Sequence, residues 1–428
     1  MERSSNDDLS HRSKGGVRQR LADAKRQKLD MGKPSKLYMF LVRLWAWGTI
    51  SPQLMQKIAS RAEEDMEHYK ITNGRFTEVF EDLSFLSCLG TNGANPGNMN
   101  RELNTRINVN DYAEAKQCTI PMKAYNAPET SWYNSQQSVF MPHDVFATLY
   151  HNNQSAFRKH ILPDTRPLRA FWDSQANSPL LAGHPMLGVA NWRNRAIPLA
   201  IHGDAASMVG VGKPWQKSMV LWSWCSILGL GLTSQCNYLV WGVYKLCAST
   251  VPTHDTIETL MQIFCWSLQI LYSGRYPHRN WKGELLTNPM DVKRAGKPIA
   301  GTEDNFLFCV VYLLKGDLDY LFHDLKLNNY NRNTDPCCWC PCNATTMNYN
   351  EFRFAHATWM NHIYTKADWL ASPYRLHPFF LLLTGVTILN VAVDIMHCKH
   401  LGVDAYFFAS VLFLLCFDML PGISLAAI

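Results

Sequence analysis

Two apolar runs of strand length constrain this chain more than anything else in it. Residues 196–204, Ala-Ile-Pro-Leu-Ala-Ile-His-Gly-Asp, are apolar until they break on Gly203 and deliver Asp204. Residues 306–317 repeat the arrangement over a longer run that ends on Gly316 and Asp317. A run with so little polar alternation reads as a buried strand. Two such strands, each presenting an aspartate at its C-terminal edge, offer two carboxylates able to share a divalent metal. Mg²⁺ or Mn²⁺ takes a few carboxylate oxygens and keeps waters for substrate phosphates, so two or three acids at one sheet edge suffice. Because Gly-Asp is also an ordinary turn after a strand, the pair of motifs carries the reading and neither does so alone.

The segment between them supplies the order of elements. Apolar runs at 219–228 and 238–247 read as two further strands. A helix follows, capped by Thr253 or Asp255, with Ile257, Leu260, Met261, Phe264, Leu268 and Leu271 on one face and Gly274 at its end. After a loop holding Arg275, Arg279, Lys282, Lys293, Arg294 and Lys297 comes the strand that ends on Asp317, with Asp319 two residues beyond. The sequence therefore reads as three strands, a helix and a fourth strand, with acids closing the first and the fourth.

Composition bounds the rest. With 47% hydrophobic and 18% charged residues among 428, the body is globular and not a disordered chain. Residues 1–36 hold ten Lys/Arg against five Asp/Glu, +5 of the net +6, so basic character belongs to a polar tail expected to lack structure. Within that tail Lys25, Arg26 and Lys28 form a candidate nucleic-acid or import patch. The thirteen cysteines and the absence of an apolar leader point to a reducing cytosolic or nuclear compartment. The apolar runs 378–393 and 405–417 fall short of the ~18–20 residues of a spanning helix and read as core elements, with no membrane partner expected.

Upstream of the strands, residues 37–130 read as a helical and loop-rich region. Leu37, Phe40, Leu41, Leu44, Trp45 and Trp47 form a helical stripe, Ser51-Pro52 restarts a helix, and Leu54, Ile58 and Ala62 continue its face. The Gly, Asn and Pro clusters of 84–140 read as loop. Residues 131–195 form a lead-in with one helix over 143–162, and 196–428 form the main domain, with a cysteine-rich insertion at 335–365. Gly210-Val-Gly212-Lys213-Pro214 superficially resembles a phosphate loop, but its spacing is wrong and Pro214 stands where Ser or Thr is needed.

Two further motifs follow the second acid. Cys337-Cys338-Trp-Cys340-Pro-Cys342 contains Cys-x-x-Cys, half of a zinc site, with Cys342 as a third thiolate. His356, His362, His397, Cys398 and His400 are available to close it, and His397 is the one taken here as the fourth ligand. Asp394-Ile-Met-His397 then follows an apolar run and precedes Leu401-Gly402.

The strand order and its acids resemble the ribonuclease-H-like fold of DDE/D nucleases and transposases. The second acid, the Cys-x-x-Cys and the Asp-x-x-His look like the core of cut-and-paste DNA transposases of the CACTA/Plavaka-like and hAT-related groups, over roughly residues 192–402. The resemblance implies an α/β (α+β) architecture, a ribonuclease-H-like mixed sheet with flanking helices behind a small helical N-terminal region. In it Asp204 is the first acid and Asp317 the second, with Asp319 as the alternative, and Asp204 and Asp317 hold Mg²⁺. Asp394 and His397 take the place of the Asp-x-x-His motif. It further implies a nuclear protein acting on the DNA ends of a mobile element, with self-association as a further expectation and Arg275, Arg279 and Lys282 as candidate DNA contacts. The family's third acid, a Glu beyond the Asp-x-x-His, has no counterpart, because no Glu follows Glu351 and Asp404 and Asp418 fall early. An incomplete and inactive element-derived frame is the expectation that follows. The rival expectation is a non-catalytic nuclear protein that binds zinc, nucleic acid or a partner.

Overall fold

The computed structural model describes residues 36–46, 50–73, 81–106, 113–207, 218–328, 336–351, 353, 357–371, 377–394 and 404–414. The chain divides into two compact units, residues 1–109 and 110–428. This boundary lies before the 130 expected from sequence, because residues 116–139 form a hairpin that belongs with the second unit.

The first unit is helical. Helices α1 (Lys36–Ala46), α2 (Pro52–Asn73), α3 (Glu81–Ser87) and α4 (Pro96–Arg106) close on Leu41, Met55, Ala59, Leu86, Leu89, Met99 and Leu103. Ser51 caps α2 by accepting the Leu54 N–H at 3.1 Å, which is why Ser-Pro restarts a helix there. The expected face is displaced by one position. Leu54 and Ile58 are exposed, whereas Met55 and Ala59 are buried. Residues 84–106, expected as loop, are largely helical. Pro96 sits at a helix start, where its missing N–H costs nothing, and Gly90 takes a left-handed φ of 61° between two short helices.

The second unit is built on a five-stranded mixed sheet in the order β5-β4-β3-β6-β7. Its strands are β3 (Ala196–Ser207), β4 (Ser218–Ser226), β5 (Tyr238–Tyr244), β6 (Phe308–Gly316) and β7 (Val391–Val393). A separate hairpin pairs β1 (Lys116–Met122) with β2 (Tyr133–Val139). Strands β3, β4 and β5 form an antiparallel meander, while β6 joins β3, and β7 joins β6, in parallel. The first and last apolar runs of the sequence reading thus become neighbours at the sheet centre. The β3 residues Ala196, Ile197, Leu199, Ala200 and Ile201 are at most 1% exposed, so both faces of the strand are covered.

Part of that cover comes from α8 (Thr256–Ser273), the crossover between β5 and β6. Asp255 caps it, accepting the Glu258 N–H at 2.8 Å, and Gly274 ends it in the left-handed region at φ 68°. More comes from α7 (Thr165–Ser174), whose Trp172 donates its indole N–H to the Ala196 carbonyl at 2.7 Å. The helix expected over 143–162 is two helices, α5 (Pro142–Asn152) and α6 (Gln154–His160), because Asn153 leaves the helical region and caps the second.

The C-terminal expectations separate. Residues 378–393 do join the core, with Phe379, Phe380, Val386, Ile388 and Val391 buried. By contrast α10 (Ala405–Phe413) leaves Phe407, Phe408, Leu412 and Phe413 more than half exposed, so it is not the core element expected. No described helix is long and apolar enough to cross a membrane.

Candidate functional site

The parallel register of β3 and β6 decides where the acids fall. His202 pairs with Lys315, so the next positions, Gly203 and Gly316, lie level, and Asp204 and Asp317 follow them on adjacent strands. Strand β7 adds a third carboxylate. It pairs Val393 with Gly316, and the N–H of Asp394, directly after it, donates to the Gly316 carbonyl at 3.0 Å. Asp204, Asp317 and Asp394 therefore stand at one edge of the sheet on three neighbouring strands, which pack about 4.8 Å apart.

Each acid is held differently. Asp204 is exposed, still within β3, and its Oδ1 accepts the Ala205 N–H at 2.7 Å. Asp317 is the N-cap of α9 (Leu318–His323), its Oδ1 accepting the Tyr320 N–H at 2.7 Å. That bond fixes the carboxylate's direction and leaves Oδ2 uncommitted by it. His202 lies among the three. Burial holds its imidazole below the ordinary value, Asp204, Asp394 and Asp317 pull it back up, and Lys315 pushes it down.

The Gly-Asp motif has a packing reason that sequence reading missed. The buried ring of Tyr320 lies across the β3–β6 pair, and a Cβ on either Gly203 or Gly316 would overlap its carbons. Each glycine is therefore a close approach of backbone to aromatic ring. The ring ties α9, and with it the Asp317 cap, to both strands. The signal was present in the sequence as two glycines before two acids and an aromatic three residues after the second. The Tyr320 hydroxyl is buried with no hydrogen-bond partner among the described residues. Tyr320→Phe is therefore expected to raise stability by about 1 kcal/mol, since an unsatisfied buried polar group is removed without loss of packing. A thermal or urea midpoint comparison checks it.

The other site residues separate into those the fold brings here and those it does not. Asp319 lies in α9, two residues past the cap. Arg275, Arg279 and Lys282 sit elsewhere. The loop that holds them starts at Gly274, which abuts Phe306 and Leu307 at the N-terminal end of β6, about 26 Å from the acids at 3.3 Å per residue. There Arg275 donates to the Gly296 carbonyl at 2.9 Å and pairs with Glu303 at 2.7 Å. Arg279 donates to the Gly283 carbonyl at 2.7 Å, and Lys282 lies over the Trp281 ring. These candidate DNA contacts thus lie on a loop at the other end of β6 from the acids, with Arg279 and Lys282 exposed. Lys25, Arg26, Lys28, His397, Asp418 and the glycines of 210–212 lie outside the described residues. Asp404 stands at the start of α10.

A second cluster can bind a metal such as zinc. The sulfurs of Cys337, Cys340 and Cys342 all lie within 4.8 Å of one another, the set of metal-ligating atoms so drawn together among the described residues. The strand-end carboxylates are not gathered that tightly, as expected for like charges on neighbouring strands. Neither a protein-family model, nor a curated protein, nor a solved structure matches the chain.

Proposed function

We propose that the second unit is a ribonuclease-H-like, metal-dependent polynucleotidyl transferase or nuclease of the DDE/D transposase kind, acting on DNA. The observation that carries this reading is the parallel pairing of β3 with β6, which brings two distant Gly-Asp motifs level on adjacent strands. Three features support it further: the five-strand order with an antiparallel second strand, the crossover helix before the fourth strand, and an acid near the C-terminal end of each of the three neighbouring strands. In this reading Asp394 supplies the third carboxylate from the end of β7, a place the resemblance does not give to it. Asp204, Asp317 and Asp394 would hold Mg²⁺ or Mn²⁺, which when bound supplies the Lewis acidity that activates water or a 3′-hydroxyl at phosphate.

The chain's own residues do the positioning. The Tyr320 N–H holds one oxygen of Asp317 and leaves the other outside that bond. Asp204, exposed and one strand away, presents its carboxylate at the same edge.

Mg²⁺- or Mn²⁺-dependent nicking of duplex DNA by the purified chain tests the reading. Asp204→Asn and Asp317→Asn should each reduce the rate by more than the roughly 10–100-fold that loss of a supporting hydrogen bond costs at a metal site. Asp394→Asn should match them. Nicking that survives all three substitutions would remove the proposal. The rival reading, a non-catalytic binding protein, draws on the cysteine cluster and expects no metal-dependent cleavage in any variant.

A further inference from the structure

The cysteine-rich segment carries an inference independent of the acids. Cys337-Cys338-Trp339-Cys340-Pro341-Cys342 follows α9, and four thiols in six residues do not share one fate. Cys338 is 6% exposed and packs into the main hydrophobic core, where burial pushes its thiol well above the ordinary value. It is a small apolar filler. The other three sulfurs converge to within 4.8 Å, close to the ~3.8 Å that tetrahedral Zn–S bonds of about 2.3 Å impose.

The backbone around them is arranged for thiolates. The Trp339 N–H donates to the Cys337 sulfur at 3.3 Å. Amide donors aimed at sulfur stabilise its negative form far more than a neutral thiol. A cation is the group that would hold three convergent sulfurs, two buried and one half-buried, with a backbone donor aimed at one of them. Pro341 fixes φ between two of the ligands, and the loop is anchored from behind by Asn328, whose side chain donates to the Cys337 carbonyl at 3.1 Å.

Three thiolates leave one tetrahedral position. The Tyr364 N–H donates to the Trp339 carbonyl at 2.8 Å, which runs the segment around His362 beside the cysteine loop. His362 Nδ1 lies 2.8 Å from the Thr358 carbonyl, which makes Nδ1 the protonated nitrogen and leaves Nε2 with its lone pair. Metal-bound histidines characteristically present this arrangement, one nitrogen to a carbonyl and the other to the ion. His362 is exposed at the end of a short turn. We propose that Cys337, Cys340 and Cys342 are three ligands of a structural zinc ion and that His362 is the fourth. The ion would clamp residues 337–342 to the turn at 358–362 and so fasten the insertion to the core.

The test uses the full chain. Metal analysis of the purified protein should find one zinc per chain. A mercurial thiol reagent should release it from the native protein without prior unfolding. Substitution by cobalt should give the absorption of a tetrahedral site with sulfur ligands. Cys340→Ser should abolish binding, while His362→Ala should weaken zinc at least about ten-fold against a chromophoric chelator and shift the cobalt bands. His397→Ala should change neither. No zinc in the protein, both as purified and after zinc loading, overturns the site. An unchanged affinity and cobalt spectrum in His362→Ala overturns the fourth ligand, as does weakening confined to His397→Ala. Because no acid at the sheet edge enters these measurements, they stand or fall separately from DNA cleavage.

Discussion

Gly203→Ala and Gly316→Ala should each destabilise the second unit by about 3 kcal/mol and remove its proposed activity, although neither changes a charge. In both cases the new methyl group would occupy the place of Tyr320 ring carbons. The ring cannot simply move aside, because it is 3% exposed and wedged between two central strands and its own helix. Overpacking of such a core costs about 1–3 kcal/mol when the neighbours can give, and more when they are backbone and ring. Relief would require α9 to lift, which breaks the bond from the Tyr320 N–H to Asp317 and frees that carboxylate. The measurement is a double-mutant cycle on urea midpoints with Tyr320→Ala. Tyr320→Ala alone is costly because it leaves a cavity, but a methyl group on Gly203 should then fill part of that cavity. The pair should be less destabilised than the two single changes added together by at least about 1 kcal/mol. Additive effects would mean that the glycines are conserving something other than room for the ring.

How much of this was legible in the sequence follows from the physical signals each element carries. Strands β3 and β6 were readable because strands covered on both faces leave long apolar runs, and α8 because Asp255 and Gly274 mark its ends chemically. The hairpin of β1 and β2 was not. Its second strand, Tyr-Asn-Ser-Gln-Gln-Ser-Val, is largely exposed and has no apolar alternation to find. β7 is three residues long and exists only because β6 offers it partners, so no local pattern could announce it. That is why Asp394 read as part of a motif and not as the end of a strand. The helices of 84–106 hid behind Gly, Asn and Pro, residues that here start and stop helices and do not prevent them. At the site, the two Gly-Asp ends were legible as chemistry, but their level register and the ring of Tyr320 across them are properties of the packed sheet.

The chain's second unit should also be acid-sensitive well above the pH at which carboxylates titrate. His143, His184 and His377 are 2%, 6% and 3% exposed. Burial depresses them to about 4, about 4 and about 3 from an ordinary 6.5. At His143, Asp144 and Asp291 oppose that shift while Arg294 and Lys116 add to it, and at His377 Lys326 adds to it. His184 and His377 each spend Nδ1 as an acceptor for a backbone N–H, from Met186 at 3.1 Å and from Phe379 at 3.2 Å, so a second proton would cost those bonds. The sign follows directly. Above pH 6.5 the three are neutral whether the chain is folded or not, and their neutral burial is compatible with the fold. As pH falls below 6.5 the unfolded chain takes up protons that the native state refuses until about pH 4, so stability is lost across that window. One histidine contributes about 1.4 kcal/mol per pH unit and three about 4, so descending from pH 7 to pH 5 should cost about 6 kcal/mol. That is comparable to the whole stability of an ordinary domain. Urea midpoints at pH 7, 6 and 5 would show the fall. His377→Asn, which keeps a side-chain acceptor at the cap of residues 378–382 but does not titrate, should reduce the slope by about a third. A slope that stays the same in this variant, or midpoints that stay level from pH 7 to pH 5, would show that these imidazoles are reached by water before the fold opens.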